Sequence, residues 1–168
     1  MREILKTLVR ICQFQAGPQA LPDSSALVRL FGCFYYAVSL MAAALTMPFV
    51  PAVMVAGLDL AFLFAFVYVL LLARGLTRRF PQTILAQIGT GALIMFASIP
   101  VLAWQAWVGQ PGEISALLMT LLMFWNLAVM GHIFRHAIST SMFVGALLAL
   151  GYLFLSLMLF EWVAGYVA

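Results

Sequence analysis

Charge is what this chain has least of. Of its 168 residues, 8% are Asp, Glu, Lys or Arg, about a third of the roughly 25% usual in a soluble domain. A soluble fold of this size could not cover its surface with so few polar side chains. That excludes a soluble enzyme, a disordered chain and a free nucleic-acid binder. Cysteine is scarce too. Cys12 and Cys33 are the only two, too few for a secreted disulfide scaffold, and no CxxC or Cys/His grouping offers zinc ligands. Both thiols are expected to be reduced and structural, with palmitoylation of Cys12 as the alternative. No pair of carboxylates is placed for acid–base work. No serine has a histidine and an acid at its own depth. Gly89-Thr90-Gly91 lies within an apolar segment, not after a strand, so it is no phosphate loop. Neither enzymatic activity nor a cofactor is expected.

What is present is apolar. Hydrophobic residues make up 66% of the chain, against roughly 45–50% in soluble domains, and the mean hydropathy is +1.14. The expectation is an all-α, polytopic transmembrane bundle. Five segments have the roughly 20 apolar residues that a spanning helix needs: 27–47, 50–73, 83–107, 114–134 and 138–160. They form a transmembrane domain over 23–168, preceded by an N-terminal segment over 1–22. Pro48 and Pro51 break the first helix from the second. Arg74 to Pro81 is a charged loop, with Pro81 suited to a first helical turn. Val108 to Glu113 is a turn cluster. Arg135 and His136 divide the last two spans, and Ser139, Thr140 or Ser141 is positioned to cap the fifth helix.

The basic residues orient the chain. All eight, Arg2, Lys6, Arg10, Arg29, Arg74, Arg78, Arg79 and Arg135, fall on one side when the N-terminus is cytoplasmic and the C-terminus outside. Trp104, Trp107, Trp162 and Tyr166 then gather at the outer interface. No basic stripe is broad enough to track a phosphate backbone, so no nucleic acid is expected. On a helical wheel Arg2, Lys6 and Arg10 share one face, and Ile4, Leu8 and Ile11 another. That pattern predicts a short amphipathic helix lying on the cytoplasmic membrane surface, bound to anionic headgroups. Arg10 interrupts any signal-peptide core. Asp23 or Ser24 is expected to cap the first span.

Asp59 is the one acidic residue well inside a span, eight residues past Pro51 and about 12 Å along the helix. An intramembrane carboxylate is a functional-site hypothesis by default. It either binds a proton or cation, or bonds structurally inside the bundle. Ser98, Asn126, Tyr152 and Ser156 are its candidate partners, and Ala52 and Ala56 let a neighbouring helix approach its face. Ser141, Gly145, Ala149, Tyr152 and Ser156 form a small, polar stripe of the kind that marks helix contact in lipid. Met119, Met123, Asn126 and Met130 share a second face, read as core. His132 and His136 have the i, i+4 spacing of two metal ligands, but nothing nearby completes a coordination set. They are read as interfacial, or as a cytoplasmic partner site with Arg135.

Four strings carry a resemblance: residues 14–22 (FQAGPQALP), 79–83 (RFPQT), 89–93 (GTGAL) and 131–137 (GHIFRHA). On these the chain resembles a group of small, uncharacterised proteobacterial inner-membrane proteins along nearly its whole length. More loosely, five spans after a cytoplasmic segment look like the Yip1-type membrane domain. The resemblance implies a bacterial inner membrane and brings no functional residues.

The function expected is that of a non-enzymatic interaction or accessory protein in the bilayer. It would offer Arg2, Lys6, Arg10, Arg74, Arg78, Arg79, His132, Arg135 and His136 to anionic lipid, to a membrane-protein partner or to a second copy. The alternative is a small transporter or channel component using Asp59.

Overall fold

The computed structural model describes residues 1–109 and 112–167, with side chains through Glu161. Among these residues there are six α-helices and no strand. They are α1 (Arg2–Cys12), α2 (Ser25–Ala44), α3 (Phe49–Ala73), α4 (Phe80–Val108), α5 (Glu113–Ala137) and α6 (Met142–Val167), with 3-10 turns at Pro18–Ala20 and Thr77–Arg79. The last five are long and apolar enough to cross a membrane. The protein is an all-helical bundle with the build of an integral membrane protein.

Local chemistry sets the helix ends. Ser24 caps α2, its Oγ accepting from the Leu27 N–H at 3.4 Å, and Ser141 caps α6, accepting from the Val144 N–H at 3.3 Å. Pro51 and Pro81 each sit in a first helical turn, where no N–H is needed. Gly75 ends α3 in the left-handed conformation, φ +66°, so that the Leu76 N–H can reach back to the Leu71 carbonyl at 2.8 Å. Pro100 lies inside α4 and has no N–H to give the Phe96 carbonyl.

One boundary differs from expectation. Arg135 and His136 do not divide two spans. They lie in the last turn of α5, and the break comes at Ile138 to Ser141. Cations in a last turn complement the negative end of the helix dipole, so they extend α5 rather than stop it. Ser139 makes the stop, at φ +54°, and the Thr140 N–H closes the end on the Arg135 carbonyl at 2.8 Å.

The helices pack α2 on α3 and α4, α4 on α5, and α5 on α6, with α6 returning to α3. Leu63, Val67 and Leu71 of α3 meet Ile84 and Ile88 of α4 and Ile133 and Phe134 of α5 in the core. α5 and α6 approach backbone to backbone. A Cβ on Gly145 would overlap the Gly131 carbonyl oxygen, and one on Gly131 would lie 3.2 Å from Ala146 Cα. The small residues of α6 therefore do what such stripes do in lipid, where close packing replaces the hydrophobic drive.

The N-terminal helix is the larger departure. Its basic residues are exposed, and its apolar face is divided: Leu8 and Ile11 rest on protein, while Leu5 and Val9 are exposed. Leu8 and Ile11 are fully buried. α1 crosses α4 at Gly89, nine residues and about 13 Å from the start of that helix. A Cβ there would lie 2.6 Å from Leu8 Cδ2. The chain that follows is tied down at four points. Trp125 Nε1 donates to the Cys12 carbonyl at 3.0 Å, and His132 Nε2 lies 2.9 Å from the Ala16 carbonyl. Gln19 Nε2 donates to the His136 carbonyl at 2.9 Å, and Gln82 Nε2 to the Leu21 carbonyl at 3.0 Å.

Candidate functional site

Asp59 stands ten residues into α3, about 15 Å from its start. Two hydroxyls reach it from neighbouring helices. Tyr35 of α2 donates to Oδ2 at 2.6 Å, and Tyr152 of α6 donates to Oδ1 at 3.2 Å. Ala52 and Ala56, buried on the same face of α3, leave room for the helices that bring these phenols in.

Both rings are held. Tyr152 stacks on Phe62 with centroids 5.3 Å apart and meets the edge of Phe66, also at 5.3 Å. Tyr35 lies over Gly91 of α4, where a Cβ would be 2.9 Å from Tyr35 Cε2. Gly91 thus serves the site by what it lacks.

The carboxylate faces a cavity of about 340 Å³ that runs from Asp59 past Ala56 to Thr46, Leu102 and Phe160, toward the Pro48 end of the bundle. Ser39, Asn126 and Ser156 add polar atoms to its wall. Ser39 Oγ is buried and has no hydrogen-bond partner, a condition shared among the described residues only by Gln87 Nε2. No basic side chain lines the cavity, and the one ion pair among the described residues, Lys6 with Glu3 at 2.7 Å, lies on α1.

Of the expected polar cluster, Asp59, Tyr152, Asn126 and Ser156 line this cavity, and only Tyr152 bonds the carboxylate. Ser98 lies apart, on an adjoining cavity of about 190 Å³, and donates to the Met95 carbonyl at 2.7 Å. Met119 and Met123 line that second space and Met130 the first, and Met130 is also part of the buried core. Tyr35 and Ser39 were not foreseen. Counting depth in both directions from the Pro48 turn brings Tyr35 level with Asp59.

The basic set divides. Arg2, Lys6, Arg10, Arg74 and Arg78 are exposed. Arg79 is engaged internally, donating from one nitrogen to the Ala137 carbonyl and to Ser139 Oγ, each at 2.9 Å. It caps the end of α5. His132 is only 3% exposed and holds the Ala16 carbonyl, so it is withdrawn from any partner at that surface. Its ring meets the His136 ring at 4.6 Å, and His136 Nε2 lies 3.2 Å from Arg135. Among the described residues no three His, Cys, Asp or Glu side chains converge on a metal position.

Cys12 is buried and Cys33 exposed, both unbridged. Burial pushes the Cys12 thiol up to about 11, against the smaller opposite pull of a backbone hydrogen bond. Trp104 and Trp107 are exposed, while Trp162 and Tyr166 lie outside the described side chains. No family model matches the chain, and neither a curated protein nor a solved structure matches it.

Proposed function

We propose that this is a small transporter or channel component of a bacterial inner membrane that binds a cation or proton at Asp59. The observation that carries this reading is a carboxylate held by two phenols at the edge of a 340 Å³ cavity, with no basic side chain among the described residues paired to it. A charge inside a bundle is costly unless compensated. The phenols supply part of the compensation. The free side of the carboxylate leaves the rest to a solute.

The test is flux of protons and monovalent cations in liposomes holding wild type, Asp59→Asn or Asp59→Leu. Asn keeps the shape and loses the charge. Flux should fall in both variants, with Asn as damaging as Leu. Equal flux in wild type and Asp59→Asn removes the reading.

A second reading, an accessory protein acting through its basic cytoplasmic face, is favoured by α1. Its Leu8 and Ile11 are fixed on the bundle, and Arg2 and Arg10 are left outward without ion pairs among the described residues. Isolation with native lipids and mass spectrometry tests it. A stoichiometric anionic lipid or protein should be lost when Arg2, Arg10, Arg74 and Arg78 are replaced by Gln, and retention in that variant refutes it.

A further inference from the structure

Resting on the Asp59 reading, we infer that the solute is a small amphiphilic ammonium, a protonated amine on a short apolar body, rather than a bare inorganic ion.

The first reason is size. The space beside Asp59, about 340 Å³, equals about eleven waters at roughly 30 Å³ each. It falls in the range of small-molecule pockets, which begin near 300 Å³. A dehydrated metal ion needs only the first few ångströms of it.

The second reason is the wall. Ala42, Val55, Leu102, Met130 and Phe160 make most of it apolar. Hard cations are held by six or more convergent oxygens. Here the Asp59 carboxyl and the two phenols hold one another at one end, and the other polar side chains, Thr46, Asn126 and Ser156, are spread along the wall rather than convergent.

The third reason is the hydrogen-bond inventory at that end. A carboxylate has about four lone-pair positions, and the two phenols fill two of them. Two remain, on the side that faces the cavity. An ammonium group is a cluster of N–H donors and matches this set. Its charge would neutralise Asp59, and its apolar body would lie along the wall toward Phe160. A neutral alcohol of the same shape could make one of these bonds but could not neutralise the carboxylate.

The experiment uses the full chain in phosphatidylcholine nanodiscs and equilibrium binding of labelled 2-phenylethylammonium, with protein-free discs as the blank for partition into lipid. Saturable binding is expected in wild type. Asp59→Asn should weaken it by about 10- to 100-fold, the worth of one hydrogen bond to a charged group. Leu102→Trp, which fills the apolar end of the cavity away from the carboxylate, should weaken it by at least about tenfold, and it serves if the Asn variant does not fold. 2-Phenylethanol should compete at least about tenfold less well than the ammonium.

Equal competition by the alcohol, or undiminished binding in folded Asp59→Asn or Leu102→Trp, overturns the inference. So does a wild-type protein that moves protons or sodium through Asp59 yet does not bind the ammonium, and in that case the Asp59 reading stands. If nothing binds or moves in an Asp59-dependent way, both fall.

Discussion

Truncating Leu8 tests whether α1 is part of the bundle or merely rests beside it. Leu8 is fully buried and fits the notch left by Gly89, which has no side chain to move into a vacated space. Leu8→Ala should therefore cost the full range for a buried leucine, about 2–5 kcal/mol. If that cost falls on docking, the undocked population rises by about 30- to 5,000-fold. Cys12 reports on it. With α1 docked, Cys12 is 5% exposed, and its pKa near 11, against an ordinary 9.0, makes the reactive thiolate about 100-fold scarcer than in a free thiol. Undocking removes both protections. In a Cys33→Ala background Cys12 is the single cysteine, and N-ethylmaleimide labelling followed by mass gives the rate directly. Wild type should label slowly. Leu8→Ala should label at least tenfold faster, up to the rate of the unfolded chain. Leu5→Ala, at a residue already 43% exposed, should change the rate by less than about threefold, in line with the area it has left to lose. A Leu8→Ala rate within threefold of wild type, or wild-type labelling as fast as in denaturant, would refute the docked helix.

Four further outcomes follow from the same geometry. Docking should be at full strength below the ordinary thiol range and weaken as pH rises from about 9 through about 11, because the docked state favours the protonated Cys12; Cys12→Ser should flatten that dependence in a pH series of limited proteolysis between α1 and α2. Gly145→Ala should lower stability by about 1–3 kcal/mol, read as thermal unfolding in detergent, because its Cβ meets the Gly131 carbonyl, a backbone group that cannot swing aside; Gly151→Ala, with nothing within 4 Å, should be neutral. Arg79→Gln should destabilise by about 1–3 kcal/mol by releasing the end of α5, whereas Arg78→Gln should not move the melting curve. A reporter active only in the cytoplasm should work when fused after Arg78 and fail after Ala168, and activity at Ala168 would contradict the proposed orientation.

How much of this was legible from residues alone depends on what a helix pattern encodes. Period and apolar length report which segments are helices, and prolines, glycines and capping serines report where they stop. Those elements agree with the structure to within a few residues, apart from the α5 end, where two basic residues were read as a loop though they suit a helix terminus. A pattern also reports that one face of a helix is apolar, but not what covers it. Lipid and protein are alike to Leu8 and Ile11, so α1 could be placed on a face yet not on a partner. The clues to its true seat were spread over other helices, in the absent side chain of Gly89 and the indole of Trp125, and neither announces itself without the fold.

Asp59 shows the same limit from the other side. In a chain with so little charge, a carboxylate in mid-span is conspicuous, and it was singled out for that reason. Finding its partners needed two coordinates per residue, depth and rotation. Depth can be counted from the nearest turn, and that count reaches Tyr35 across the Pro48 turn as readily as it places Tyr152 on α6. Rotation cannot be counted, because α3 has nearly no apolar asymmetry: lipid-facing and core-facing residues are equally hydrophobic. Ser98, Asn126 and Ser156 were therefore as eligible as the phenols, though none of them bonds Asp59. What decides among them is reach. A tyrosine carries its hydroxyl across the gap between neighbouring helices, while serine and asparagine stay near their own backbone and line the space left open. The cavity thus follows from the choice of partners. Long phenols hold the carboxylate at one end, and the short polar groups, with Ser39 still unpaired, leave beside it the volume that a solute would fill.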